Sequence, residues 1–374
     1  MKITKLETFL VKPRWLFLKL HTDEGIVGLG EPILEGRALT CQTAVRELEP
    51  WLIGEDPTRV VHLWQSMYKH AFYRGGPLLT SALSGVEQAL WDCYGKYVGL
   101  PVYKLLGGPT RDRIRVYGTA GGPDPESAAA SVREAVAQGF NCLKTGINAL
   151  ARGRIIESPA FTARVAEIFA AMREAAGPEV DLAIDFHGAI SPQTAKRLIA
   201  ALEPYHPFFI EEPVQCQNVD VLADLAHSTS IPIATGERLY TKWGFREVLE
   251  KRAAAILQPD LSHAGGIMET RLIAGMAEAY YAGIAPHCPL GPIALAACLQ
   301  LDAAIPNFLA QEGGRITGEG YLKTPFKHEN GFLPLPTAPG LGIELDEDAL
   351  ADKIDHDWQN PKRYSLDDGA AVDW

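Results

Sequence analysis

The chain has 374 residues, of which 47% are apolar and 22% charged. This is close to the globular average and excludes disorder, collagen-like and disulfide-scaffold architectures. The net charge of −11, with no basic patch, excludes nucleic acid and an anionic membrane surface as partners. Ten acids against three bases in residues 341–374 put −7 of that charge in the last 34 positions, the pattern of a solvated face.

Six cysteines (Cys41, Cys93, Cys142, Cys216, Cys288, Cys298) form no CxxC pair. They read as reduced, mostly buried thiols of a cytoplasmic protein. No signal-peptide pattern opens the chain. Residues 280–301 are free of charge, but Pro286, Pro289 and Pro292 break the run. It reads as a buried strand, a loop and a helix, not a membrane span.

In chain order, residues 16–22 and 26–29 flank Asp23-Glu24-Gly25, a hairpin signal. Helical patterns follow at 41–52, 60–70 and 78–97, then the glycine–proline breaks at 99–101 and 107–109. After Arg113 the pattern alternates. Short apolar runs stand at 114–118, 142–144, 181–186, 207–210, 231–234, 254–257, 283–286 and 308–310. Amphipathic stretches separate them; Val165, Ile168, Phe169 and Met172 mark one helix face. Eight strands with intervening helices favour a closed parallel barrel. The alternative doubly wound sheet lacks its GxGxxG loop at 118–123.

Such barrels place their active sites at the C-terminal strand ends. The residues there are Lys144; Asp185 and His187; Glu211 and Glu212; Glu237; Asp260; His287; and Glu312. Asp185, Glu211 and Glu237 are spaced by two steps of 26 residues, about one βα unit each. Three oxygen ligands in register suit Mg²⁺, although a lone acid there could equally cap the next helix. Glu212, on the opposite face from Glu211, reads as a support residue. Asp260 can orient one nitrogen of His287 and leave the other as a base. His187 stands on the other side of the acids as a proton donor. Glu312, if protonated, can donate a hydrogen bond to a substrate oxygen. His206 and His263 lack such a context. This set suits proton abstraction α to a carboxylate, with the metal stabilising the enediolate. The competing readings are epimerisation or cycloisomerisation in the same site, which would not need His187 as an acid; Lys144 as a Schiff-base nucleophile; Glu312-Gly313-Gly314 as a phosphate cradle; and a non-catalytic sugar-acid or metal binding protein.

With these residues the chain resembles the enolase superfamily, mandelate racemase subgroup, over essentially its whole length. Asp185, Glu211 and Glu237 match that subgroup's metal ligands, and Asp260 with His287 its base dyad. FYRGGP (72–77), IDFHG (184–188), FIEEPV (209–214), QPDLSHAGGI (258–267), APHCPLGPIALAACLQLD (285–302), LAQE (309–312) and DWQNP (357–361) are most similar to the D-galactonate dehydratase family within it. The resemblance implies a modified TIM barrel, (β/α)7β, with an N-terminal α+β capping domain. The expected division is 1–115 capping domain, 116–325 barrel and 326–374 a C-terminal segment returning to the capping domain. It implies a Mg²⁺-dependent sugar-acid dehydratase, with His287 taking the C2 proton and His187 protonating the C3 hydroxyl. It also implies a homo-oligomer, dimer to octamer. Arg14, Trp15 and Arg74 lie in segments that could contact substrate. The racemases carry Lys-x-Lys after the second barrel strand and the galactonate dehydratases Lys-x-Asn. Lys144-Thr145-Gly146 stands there instead. The missing second lysine argues against a two-base racemase.

Overall fold

The computed structural model describes residues 1–373. A strand not apparent from the hydropathy pattern opens the chain, β1 (Ile3–Val11). Most of its residues are half-buried or exposed, so it shows no clean two-residue alternation. It pairs antiparallel with β2 (Trp15–Thr22), which pairs with β3 (Val27–Gly30) through the expected hairpin. Gly25 supplies the left-handed turn residue, at φ 77°. Helices α1 (Ala38–Leu52), α2 (Val60–His70) and α3 (Gly76–Val98) follow. From Thr80 to Cys93, α3 is buried on every face. It sits so close to β3 that a Cβ on Gly30 would lie 1.9 Å from the Gly85 carbonyl oxygen.

After α4 (Val102–Leu105), the first apolar run divides. β4 (Arg113–Arg115) pairs outside the barrel with a late strand, β12 (Phe332–Pro334). The barrel sheet begins at β5 (Gly118–Thr119). It continues through α5 (Pro125–Ala137), β6 (Cys142–Gly146), α6 (Pro159–Ala176), β7 (Asp181–Asp185), α7 (Pro192–Leu202), β8 (Ile210–Glu211), α8 (Val219–Ala226), β9 (Ile233–Thr235), α9 (Thr241–Glu250), β10 (Ile256–Leu257), α10 (Gly266–Ala279), β11 (Gly283–Ile284) and α11 (Pro292–Ala304). The seven strands β5–β11 pair in parallel in sequence order. The eighth run is not a regular strand. It closes the barrel through single bridges, Ile284 to Phe308 and Val116 to Gln311. The result is a (β/α)7β modified TIM barrel beside a capping domain of β1–β3 and α1–α3.

The barrel interior explains where the chemistry sits. Tyr117, Cys142, Ala183, Phe209, Ala234, Ile256, Ala285 and Ala310, one from each strand position, fill the floor in two small apolar clusters. Strand side chains alternate, so the next inward position lies two residues further on. Those residues are Thr119, Lys144, Asp185, Glu211, Gly236, Gln258, His287 and Glu312. An apolar plug thus supports a polar mouth.

The C-terminal segment crosses both parts. A short helix, α12 (Glu347–Leu350), starts the return. Ile354 bridges to Val11, and the Trp15 carbonyl accepts a hydrogen bond from His356 Nε2 at 2.9 Å. The chain then continues past the capping domain to the loop after β6. There Leu366 donates to the Arg152 carbonyl at 3.0 Å, and Asp367 pairs with Arg152 at 2.8 Å and with Arg154. The acidic tail is therefore partly paired, not a purely solvated face; Glu344 also meets Lys323 at 2.8 Å. All six cysteines are free, and all but Cys216 are buried. Among the described residues no helix is long and apolar enough to cross a membrane.

Candidate active site

The three carboxylates expected at successive strand ends converge. Asp185 ends β7, Glu211 ends β8, and Glu237 follows the Gly236 turn after β9. Each offers an oxygen within 4.8 Å of the others. Glu211 is fully buried, and burial next to Asp185 and Glu237 pushes its carboxyl well above the usual range, against the pull of Lys144. Burial raises Asp185 likewise. Glu237 Oε2 is buried and makes no hydrogen bond among the described residues. Crowded, buried carboxylates with an unpartnered oxygen are the donor set a hard divalent cation requires.

His187 is reached through an unusual turn. It has φ 55° and Gly188 has φ 61°, two left-handed residues in succession. The Asp185 carboxylate accepts from the His187 amide at 2.6 Å and holds that turn. The two histidines then flank one carboxylate. His187 Nε2 lies 3.9 Å from Glu237 Oε1, and His287 Nε2 lies 3.6 Å from Glu237 Oε2.

His287 Nδ1 hydrogen-bonds Asp260 Oδ2 at 2.9 Å. Asp260 Oδ1 accepts from the Ser262 amide at 2.8 Å. An ionised carboxylate only accepts, so Nδ1 carries the proton and Nε2 is the atom facing the site. Burial opposes the charge on His287, but the bare carboxylates of Glu237 and Glu312, with Asp260, outweigh it and raise its pKa; a cation held by Glu237 would cancel that pull and leave Nε2 able to accept a proton.

Lys144 bridges two acids. Its ammonium lies 2.9 Å from Glu211 Oε2 and 2.9 Å from Glu312 Oε1. Burial disfavours the charge, yet these partners hold the pKa well above its usual value. A protonated amine paired with two carboxylates is a poor nucleophile, which argues against the Schiff-base reading. Glu312 corrects another expectation. Burial raises its carboxyl, but Lys144 and His287 overcome this and hold it at about 2. Its other oxygen accepts from the Cys288 amide at 2.9 Å. Glu312 is thus an acceptor and counter-charge, not a protonated donor.

Glu212 fits its support role: Arg238 Nε donates to it at 3.0 Å and Arg238 also reaches Gln215 at 2.6 Å. Arg14, Trp15 and Arg74 are not drawn into the acid cluster. Arg14 pairs with Glu35 at 2.7 Å, stacks over Trp358 and donates to the Pro289 carbonyl, two residues past His287. Trp15 stacks against Phe17 and meets Tyr321 edge-on. Arg74 is exposed, over the ring of Tyr68. Sequence reasoning missed Tyr117 and gave no role to Gln258 at the end of the sixth run; both are buried and inward, and their side-chain polar atoms find no partner among the described residues. Tyr117 lies inside the first apolar run, 114–118, and carried no further signal.

The barrel with this site defines a lineage. Residues 7–107 match the mandelate racemase / muconate lactonizing enzyme N-terminal domain, and residues 127–349 the enolase C-terminal domain-like family. The chain belongs to this family. It is 48% identical to D-galactonate dehydratase of Ralstonia nicotianae and 46% identical to that of Klebsiella pneumoniae, each match covering 100% of both chains. Among solved structures, an enolase of Agrobacterium radiobacter with sodium and L-malate bound superimposes with a TM-score of 0.93 at 32% identity, covering 100% of both chains. An enolase-superfamily member from Salmonella Typhimurium gives 0.90 at 32%, covering 95% of this chain and 98% of the other.

Proposed function

We propose that this chain is a Mg²⁺-dependent sugar-acid dehydratase that converts D-galactonate to 2-dehydro-3-deoxy-D-galactonate. The observation that carries the reading is the pair of histidines on either side of Glu237, within a cluster of three carboxylates. Full-length relatives named for this reaction support it. Asp185, Glu211 and Glu237 would hold the cation. Mg²⁺ bound there supplies electrostatic stabilisation of the second negative charge that builds on the substrate carboxylate when C2 loses its proton.

The chain's own groups do the rest. His287 Nε2 takes the C2 proton, with Asp260 fixing the ring and stabilising the imidazolium. His187 gives a proton to the C3 hydroxyl, which departs as water while the C2–C3 electron pair forms the enol. The enol tautomerises to the 2-keto-3-deoxy acid. Lys144 offers positive charge to the substrate carboxylate. Arg14, Trp15 and Arg74 remain proposed contributors to the rim. We take residues 1–115 as the cap, 116–325 as the barrel and 326–374 as the returning segment. The protein acts in the cytoplasm as a homo-oligomer.

Gly146, where the galactonate dehydratases carry asparagine, leaves one sugar contact to be supplied otherwise. A different aldonate, such as gluconate, is the second reading. A Mg²⁺-dependent screen of aldonates and aldarates, measuring 2-keto-3-deoxy product, separates the two. No turnover of any acid sugar, with His287→Ala indistinguishable from the parent, would sink the dehydratase reading.

A further inference from the structure

Most of the side-chain hydrogen bonds that other elements make to the segment following Asp260 come from the capping domain. Ser81, Ser84 and Gln88 recur on one face of α3, with Glu87 beside them. Ser84 Oγ accepts from the Gly265 amide at 3.0 Å. Gln88 Nε2 donates to Ser262 Oγ at 3.0 Å. Glu87 accepts from the Ile267 and Met268 amides at 2.8 and 2.9 Å. Ser262 is the residue whose amide fixes Asp260 Oδ1.

Trp64 Nε1 also donates to the Gly265 carbonyl at 2.7 Å, and a further contact is His263, which has no role in the reaction written above. It is buried, and its Nδ1 lies 2.9 Å from Ser81 Oγ. Ser81 has one hydroxyl proton, and the Pro77 carbonyl, 2.6 Å away, takes it. Ser81 Oγ is therefore the acceptor and His263 Nδ1 the donor, which fixes the ring. The opposite nitrogen, Nε2, faces Asp260 Oδ2 at 3.8 Å. That oxygen is the one bonded to His287. The Asp260 carboxylate thus lies between two imidazoles, one open to the site and one behind it anchored to α3.

We infer that His263 is a positioning residue for the base dyad, through which Ser81 of the capping helix holds Asp260 in line with His287. The inference rests on His287 acting as the base, as proposed above. It gives the capping domain a part in orienting the proton-transfer machinery besides covering it. Ser81→Ala removes the anchor and leaves the ring free to turn. His263→Leu removes the wall behind Asp260 at similar size. Neither change touches the three carboxylates.

Two measurements test this. The first needs no substrate: ¹⁵N-histidine-labelled enzyme shows the His287 Nδ1 proton that is hydrogen-bonded to Asp260. This signal shifts or broadens in Ser81→Ala and His263→Leu, persists in Ser81→Thr, and is untouched in the surface control His206→Asn. The second is kinetic. Both variants lose about 10- to 100-fold in kcat, the usual cost of removing an orienting partner. KM and calorimetric Mg²⁺ affinity stay at parental values, Tm falls only by the few degrees that one lost buried hydrogen bond costs, and Ser81→Thr restores kcat. An unchanged His287 signal, with kcat within about twofold of the parent in folded Ser81→Ala, overturns the inference. A parent that dehydrates no sugar acid refutes the proposed function instead, while the spectroscopic test still decides this one. If His263→Leu fails to fold, Ser81→Ala alone decides between these outcomes.

Discussion

Glu87 offers the sharpest test of how the capping domain is joined to the barrel. Its side chain is fully buried on α3 and accepts three hydrogen bonds. Two come from the first amides of α10, at 2.8 and 2.9 Å, and one from Trp91 Nε1 at 2.8 Å. Burial dominates its ionisation and raises the carboxyl from 4.5 to about 7, although the three donors pull the other way. A folded pKa above the unfolded one means that the contribution to stability is complete below 4.5 and is lost as pH rises through about 7. Every tenfold gain in proton affinity on folding corresponds to about 1.4 kcal/mol, so the full span is roughly 3 kcal/mol, with about 1 to 1.5 kcal/mol of it falling between pH 6 and pH 8.

Glu87→Gln keeps the shape but removes this titration. It also turns an amide group toward a donor, which costs about 1–3 kcal/mol. Urea unfolding of parent and variant at the two pH values measures both contributions. The parent is the more stable at pH 6, and its advantage shrinks by roughly 1 kcal/mol or more at pH 8. A stability difference that is the same at both values, or that grows with pH, refutes the claim that burial controls this carboxylate.

Other expectations follow from the same geometry. His187→Asn still exchanges the C2 proton with solvent, seen by NMR in deuterium oxide, but forms 2-keto-3-deoxy product at least about 100-fold more slowly because the leaving hydroxyl has lost its acid. Lys144→Met leaves Glu211 and Glu312 without their shared cation, destabilises the fold by about 3–5 kcal/mol, and is detected as a fall in Tm. Adding Mg²⁺ raises the parental Tm, and Glu211→Gln loses most of that rise in the same melt. Asp367→Asn removes an exposed pairing with Arg152 and Arg154, so Tm stays unchanged while tryptic cleavage in the tail accelerates.

The site was legible where strand alternation and unit spacing are rigid. Steps of 26 residues located Asp185, Glu211 and Glu237, an offset of two located His187, and the end of the sixth apolar run located Asp260. The charge state of Glu312 was not legible, because it depends on Lys144 and His287 arriving from other strands. The opening strand β1 escaped because its burial does not alternate. The eighth strand was overestimated: apolar residues 308–310 line the barrel, but only single bridges hold them. The polar face of α3 carried no signal either. Serines and acids at helical spacing ordinarily face water, and only the docking of barrel against cap buries Ser81, Ser84, Glu87 and Gln88.

The returning tail also sets an order of assembly during synthesis. Trp15 receives its hydrogen bond from His356, 341 residues later. Parallel strands β5 to β11 pair with sequence neighbours and can begin to fold while the chain is still emerging. The edge of the capping sheet cannot be completed until residues 354–356 have been made. The nascent barrel therefore waits without this edge of its cover.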